Sequence, residues 1–400
     1  MKEFDIAVVG AGLAGSLAAL ALAEAGRRVA LVAPPAHAGD GRTTALMDQS
    51  IAFLKRLGIW EAVAPHAAPL EAMRILDGTS RLLRAPAVTF RAREVGLDAF
   101  GYNIPNAPFI ALLEERIAAR PEIERVTAGV TALTFHPDHI ELTPADGERL
   151  TTRFVIGADG RRSLVREAAG IGVKSWSYPQ TALVLNFSHE RPHGNASCEF
   201  HTESGPFTQV PLPGDRSSLV WVLPPPQADV MRRKTADEIA RAIEDRMQSM
   251  LGKVALAGDV QSFPLSGMTA ERFGRGRVAL IGEAGHAFPP IGAQGLNLSL
   301  RDIIALEDLL RGGGAYETLG DRFDRRRRAD VRSRTASVDL LNRSLLSDFL
   351  PVQFLRAAGL HLLGALGPLR GLAMREGIEP GGALKAFREE IRQRLDRRSA

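Results

Sequence analysis

Three times along this chain a short apolar run ends in a glycine-bearing loop, and each time a helical pattern follows. The first is "FDIAVVGAGLAGSLAALALAEAG", the second "RFVIGADGRRSLVREAAGI", the third "VALIGEAGHAFPPIGAQGLNLSLRD". Runs such as Phe4–Val9 predict strands buried on both faces of a parallel sheet. The first unit closes on a second strand, "RRVALV", completing a strand–helix–strand unit. From about Lys174 to Phe263 the pattern changes. There "TALVLNFSH", "FTQVPLP" and "SSLVWVLP" are short strands with turn residues between them, predicting an antiparallel sheet. The expected architecture is α/β with two domains: a discontinuous Rossmann-like domain (1–173 and 264–310), an inserted antiparallel β-sheet domain (174–263) and a C-terminal helical region (311–400).

The loops carry the chemistry. Gly10, Gly12 and Gly15 fit G-x-G-x-x-G between a strand and an Ala/Leu-rich helix. The first glycine permits a tight turn, the second lets a pyrophosphate reach the backbone, and the third lets helix and strand pack closely. The helix N-terminus then offers N–H groups and a positive dipole end to phosphate. A dinucleotide is the implied ligand. The carboxylate that ordinarily ends the second strand and holds the adenosine ribose is absent: Ala33 stands there, in "LVAPP". Arg42 is the next polar candidate for that end. In the second unit Asp159-Gly160 ends a strand, where ligands bind in open α/β sheets, and Ser163 is placed as an N-cap. In the third, Pro289-Pro290 stiffens a loop bare of large side chains, suited to a flat ligand.

Together these segments resemble the group A flavoprotein aromatic hydroxylases, which have the para-hydroxybenzoate hydroxylase fold. Within them, "DGRTTALMDQSIAFLKRLGIW", "FGYNIPNAPFIALLEERI", "WSYPQTALV" and "RRRRADVRSRTASVDLLNRSL" resemble the ubiquinone-biosynthesis hydroxylases of the UbiH/UbiL type over nearly the whole chain. The resemblance implies FAD, held by Gly10, Gly12, Ala14, Gly15, Arg42, Thr43, Asn106, Asp159, Glu283, Gly292, Gly295, Leu296 and Asn297. Glu283 stands where the family has an aspartate on the ribityl chain, and its extra methylene shifts the reach of that acceptor. Pro105 also departs from the family's common acidic residue.

The implied reaction is hydroxylation of an electron-rich ring through a flavin C4a-hydroperoxide, with O2 as co-substrate. NAD(P)H or a separate reductase supplies the electrons, since no second dinucleotide fingerprint exists. Backbone N–H groups at the third loop suit the charge that reduced flavin carries near N1 and O2. No side-chain acid or base is required; Pro290, through its carbonyl, and His286 are the candidates for contact with the reacting groups. Asn186, Phe207, Gln209 and Trp221 are candidate pocket residues on the predicted sheet, although alternation turns half of such positions away from any one face.

Composition changes this picture in few places. A single cysteine, Cys198, excludes a disulfide framework and a cysteine-based metal site, so no metal is expected and a reducing compartment is. Met1-Lys2-Glu3 runs straight into "FDIAVVG" without a signal-peptide pattern, and the expected location is cytoplasmic. The formal charge is +4, with 17 Lys/Arg against 10 Asp/Glu in Asp321–Ala400, hence +7 there and −3 elsewhere. Beside that basic run lies the apolar Phe349–Met374. It is interrupted by Arg356 and Arg370, too closely spaced for a bilayer-spanning helix, which needs about 20 apolar residues. A basic face next to an apolar helix suits peripheral attachment to the inner face of a membrane, or contact with other ubiquinone-biosynthesis enzymes, and no nucleic acid. The alternative reading of the basic run is a solvated helix face. Three functions are therefore weighed: hydroxylase of a polyprenylated phenol, hydroxylase of a small soluble aromatic acid, and a non-catalytic flavoprotein scaffold.

Overall fold

The computed structural model describes residues 2–35, 40–79, 86–289 and 294–346. Along the chain the elements that position the site are β1 (Lys2–Val9), α1 (Leu13–Glu24), β2 (Val29–Val32), β3 (Thr43–Met47), α2 (Asp48–Arg56), β4 (Gly101–Pro105), α3 (Asn106–Ala118), β5 (Ile123–Val126), β6 (Leu150–Gly157) and α4 (Leu164–Ala168). There follow β7 (Val173–His189), β8 (Ala196–Thr202), β9 (Gly205–Leu212), β10 (Arg216–Leu223), α5 (Ala236–Arg246), β11 (Gln261–Ala270), β12 (Val278–Leu280), β13 (His286–Ala287), α6 (Gln294–Arg311) and α7 (Leu319–Leu346).

The apolar runs become a parallel sheet in the order β12–β6–β1–β2–β5. The three strand-ending loops belong to β1, β6 and β12, which are neighbours in this sheet, so the loops emerge side by side at its C-terminal edge. Helix α1 is apolar on every side because it is buried on every side: Leu17 to Ala23 lie within the core, packed on α3 and α6. The two-domain α/β class with a Rossmann-like sheet is the one observed.

The second sheet runs β13–β11–β7–β10–β9–β8 and continues into Ala72–Asp77 and Val88–Arg91. It therefore extends beyond the expected 174–263. Two strands come from the first segment, Ala72–Asp77 pairing in parallel with β8, and β11 runs on to Ala270 because β7 pairs with it along that length. Connection length hides such pairings from the sequence.

Alternation along β7, β9 and β10 divides this sheet into two unlike faces. Leu183, Leu185, Phe187, Phe207, Leu219 and Trp221 point to one side, where Ile239, Ala240 and Ile243 of α5 cover them. Helix α5 is fixed by a capping box, Thr235 with Glu238. Val184, Asn186, Thr208, Val210, Ser218 and Val220 are paired across the same strands on the other face, which is turned toward β3 and β4.

The C-terminal region continues as α7, 28 residues long. Much of its basic run is engaged inside the molecule. Arg327 pairs with Asp302 and Asp330, Arg328 with Asp324, Arg334 with Asp330, and Arg326 with Asp308. Neither a wholly solvated face nor a wholly lipid-facing one describes these arginines. Among the described residues no helix is long and apolar enough to cross a membrane; Phe349–Met374 lies outside them.

Phe207 is fully buried, with its ring edge-to-face against Phe200 and Trp221. Phe207→Ala is expected to destabilise the protein by about 3–5 kcal/mol, as aromatic-to-alanine core changes do. Urea denaturation of the purified variant checks it, and a loss within error of zero would mean that this face is not core.

Candidate functional site

The site is built on one close backbone approach. Gly10 has φ +107, and a Cβ there would lie 2.2 Å from the Ala158 carbonyl oxygen. A Cβ on Gly15 would lie 1.9 Å from the Gly10 carbonyl oxygen. Both glycines are required by the chain itself, since any side chain would drive β1, α1 and the end of β6 apart. Gly12 is different. Its φ is −70, open to any residue, and a Cβ on it would meet nothing within 4 Å among the described residues. Their packing gives no reason for glycine there. The open space lies over the first turn of α1, which has neither a side-chain cap nor an acidic residue. That leaves the uncapped N-terminus of α1 open to an approaching phosphate.

The other two loops close on the same place. Gly282, φ +58, sits against α1 and α6, its added Cβ falling 3.3 Å from both Ala14 Cβ and Ser299 Oγ. Asp159 follows Ala158 directly. Its Oδ2 accepts from the Val165 N–H at 3.2 Å, while Oδ1 is buried with no partner among the described residues. Burial pushes the Asp159 carboxyl above its ordinary value, against the hydrogen bonds from Ser163 and Val165. Ser163 caps α4 by accepting from the Arg166 N–H.

Arg42 and Asn106 are brought together by a residue that sequence reading passed over. Asp40 accepts from Arg42 Nε at 2.8 Å and Nη2 at 3.0 Å, and from Asn106 Nδ2 at 3.0 Å. The signal was a carboxylate two positions before the arginine, close enough for a bidentate pair. Asn106 begins α3, donates its backbone N–H to the Arg42 carbonyl, and keeps Oδ1 buried without a partner among the described residues. Arg42 is held above its ordinary value, first by the Asp40 hydrogen bonds, with the charge of Glu283 adding to them. Glu283 is about half exposed at the mouth of the site, 3.4 Å from Arg161.

Thr43 Oγ1 lies 3.1 Å from Ser218 Oγ, and Asn186 Nδ2 donates to the Gly41 carbonyl at 2.9 Å, so both tie the 40–43 loop to the open face of the second sheet. Leu296 packs against the main core. Asn297 is engaged by its neighbours: its Oδ1 accepts from the Met47 N–H and Ser50 Oγ, and its Nδ2 donates to the Ala45 carbonyl. It ties the start of α6 to β3 and α2. A Cβ on Gly295 would meet nothing within 4 Å among the described residues, as at Gly12. Pro290 and Gly292 lie outside the described residues.

Three of the four candidate pocket residues face the other way. Phe207 and Trp221 are in the core under α5, and Gln209, on the same face, donates to Ser217 Oγ at 2.8 Å. The physical reason is that α5 needs large apolar partners, and the bulkiest side chains of the sheet meet it. Asn186 alone has the parity of the open face. The residues missed by that choice are Val184, Val210, Ser218 and Val220. His286 is only 1% exposed at its side chain, donates from Nε2 to Asp302 Oδ2 at 2.6 Å, and stacks on Phe288. That commits its Nε2 away from substrate.

At the expected ribose end, the guanidinium of Arg125 on β5 donates to the carbonyls of Ala33 at 2.8 Å and Pro34 at 3.3 Å. A cation fastened to the end of β2 thus stands near the position where an acid was expected. The residues present fit FAD: uncapped N–H groups and Arg42 for phosphate, and buried acceptor oxygens on Asp159 and Asn106 for hydroxyl or imide donors.

Comparison with known proteins agrees with this geometry. A family model described as FAD binding domain matches residues 3–336. The chain is 33% identical to "Ubiquinone hydroxylase UbiL" of Rhodospirillum rubrum, over 96% of this chain and 91% of that protein. It is 31% identical to the "3-demethoxyubiquinol 3-hydroxylase" of Escherichia coli, over 93% of this chain and 97% of that one. Among solved structures, Klebsiella pneumoniae HpxO complexed with FAD and uric acid shares the fold at a TM-score of 0.74 and 18% identity, covering 94% of this chain and 96% of the other.

Two predictions follow from the geometry of the first loop and its neighbour. Gly12→Val should leave the melting temperature of the apoprotein within error of wild type and weaken FAD binding at least about tenfold, or about 1.4 kcal/mol. Gly10→Ala should destabilise the apoprotein itself, by about 1–3 kcal/mol from its φ alone. Flavin-fluorescence titration and thermal unfolding separate the two, and the reading fails if Gly12→Val binds FAD as wild type does. The second concerns Asp40, whose carboxyl burial would raise but which Arg42 and Asn106 hold below the ordinary 3.8. A depressed carboxyl contributes stability above its unfolded value and loses it as pH falls through the folded one. The difference in apoprotein stability between wild type and Asp40→Asn should therefore persist well above pH 3.8 and close below it. A difference independent of pH would refute the pairing.

Proposed function

This chain belongs to the FAD-binding-domain family of flavin-dependent ring-hydroxylating monooxygenases, and from that premise we propose that its substrate is a polyprenylated phenol on the route to ubiquinone. One oxygen atom of O2 enters the ring, the other leaves as water, and a reductant supplies two electrons. Bound FAD supplies the redox chemistry and the activation of O2, while the protein positions and shields it. Gly12 and the first turn of α1 would take the pyrophosphate, with Arg42 supplying positive charge. Gly282 would bring the third loop close against α1, and Gly295 would leave room for the ring system. Water is kept out by the open face of the second sheet, which is apposed to β3 and β4 through the Thr43–Ser218 and Asn103–Ser218 contacts.

One observation carries the choice of substrate. Valines 184, 210 and 220, with Thr208, Asn186 and Ser218, line the facing surface on β7, β9 and β10, and the charged residue beside them is a carboxylate, Glu199, opposite Thr208. A small aromatic acid needs a cation for its carboxylate. The arginines of these strands and their turns are engaged by backbone: at the exposed start of β10 Arg216 Nε donates to the Pro213 carbonyl, and Arg191 donates to the Ser249 carbonyl. The relatives' names, a ubiquinone hydroxylase and a demethoxyubiquinol hydroxylase, point the same way. A scaffold role has no need of the space held open at Gly12 and Gly295. Location at the inner face of a membrane is part of this proposal, since a prenylated substrate resides there.

The decisive measurement is the quinone profile of a strain lacking this gene, by mass spectrometry of lipid extracts. Loss of ubiquinone with accumulation of a prenylated phenol one or more hydroxyls short is the expected result, and the structure of that intermediate gives the ring carbon. An unaltered profile in a strain without a second hydroxylase would reject the substrate, leaving FAD binding untouched.

A further inference from the structure

A buried charge cluster lies on the back of the third loop, apart from the cofactor-facing residues. Asp302, on α6, is 2% exposed at its side chain, and its two oxygens reach in different directions. Oδ2 accepts from His286 Nε2 at 2.6 Å and from the Gly282 N–H at 3.4 Å, so it holds both ends of the turn that opens the third loop. Oδ1 accepts from Arg327 Nε of α7 at 2.7 Å. Arg327 is itself 6% exposed and bonds on to Asp330 at 2.5 Å. Arg301 of α6 and Arg334 of α7 also reach Asp330.

A buried ion pair of this kind is weak evidence for stability, because desolvating the charges offsets much of their attraction. What it does supply is direction. The carboxylate can satisfy Gly282, His286 and Arg327 together only when the turn and α7 are in one relative position. Helix α7 is also held to the second sheet, where Tyr178 donates to Asp339 at 2.6 Å. We propose that Asp302 is a positioning residue through which the docking of α7 fixes the Gly282–Ala287 turn, and hence the seat of the flavin. The C-terminal helix is then part of the cofactor site although none of its described side chains is among the residues assigned to FAD.

The test uses the full-length apoprotein titrated with FAD, read by flavin-fluorescence quenching and by the visible absorption spectrum of the flavin that binds. Asp302→Asn and Arg327→Met should each weaken FAD binding, about threefold to thirtyfold, within the range by which side chains that contact neither ligand alter coupling. Both should shift the spectrum of bound flavin. Arg327→Lys, which keeps the cation, should fall between wild type and Arg327→Met. Arg325→Ala, at an exposed position of α7, is the control and should match wild type. If Asp302→Asn does not fold, the two Arg327 variants carry the test. Lower melting temperatures with wild-type affinity and an unshifted spectrum would overturn the proposal and leave a merely structural tie. The inference rests on assigning the Gly282–Ala287 turn and Gly295 to the flavin, which Gly295→Leu tests by itself. Unaltered affinity in that variant removes the assignment, whereas wild-type behaviour confined to Asp302→Asn and Arg327→Met removes only the coupling.

Discussion

Everything at this site depends on the contact between the Gly10 turn and the carbonyl of Ala158. It requires two residues without side chains, Gly10 and Gly15, and it brings the end of β1, the start of α1 and the end of β6 within one backbone's width. Once they are there, Asp159 lies beside the turn and the uncapped end of α1 opens into the space above it. The contact between Gly282 and Ala14 adds the third loop. A phosphate-binding helix end is common in α/β folds; its use here follows from the space over Gly12, which no described residue fills.

The second sheet imposes the other constraint, through parity. One face must satisfy α5 and takes Phe187, Phe207, Leu219 and Trp221. The opposite face carries valines, uncharged polar groups and, on β8, the carboxylate of Glu199, and it is the face that closes on the cofactor domain. The chemistry of that surface is thus partly a by-product of packing on the other side. Its polar members, Asn186 and Ser218, serve to tie the two sheets together.

Ionic contacts join these parts where apolar packing cannot. Asp40 collects Arg42 and Asn106 at the entrance to the site, and Asp302 collects the third loop and α7 behind it. Both are carboxylates whose ordinary value is lowered against the effect of burial by the groups around them. The basic run of α7 illustrates how charge patterning misleads when read alone. Four arginines between Arg326 and Arg334 find carboxylates on α6 or on α7 itself.

Much of this was legible in the chain. Apolar runs ending in glycine loops gave parallel strands beside one another, because local periodicity and the demand for φ above zero are written in neighbouring residues. Gly10, Gly12, Gly15, Arg42 and Asp159 were singled out from such local patterns and Asn106 from the family resemblance; the fold brings Gly10, Gly15 and Asp159 together and joins Arg42 to Asn106 through Asp40. Three kinds of fact were decided only by tertiary structure. The facing of Phe207, Gln209 and Trp221 depended on which side α5 would cover, and a strand's alternation is the same read from either side. The two strands that Ala72–Asp77 and Val88–Arg91 add to the second sheet depended on pairing across more than a hundred residues. The Asp302–His286–Arg327 cluster joins three elements through pairs 16 and 25 residues apart, beyond the reach of any local pattern, so the sequence determined the loops and the folded chain alone decided what holds them in place.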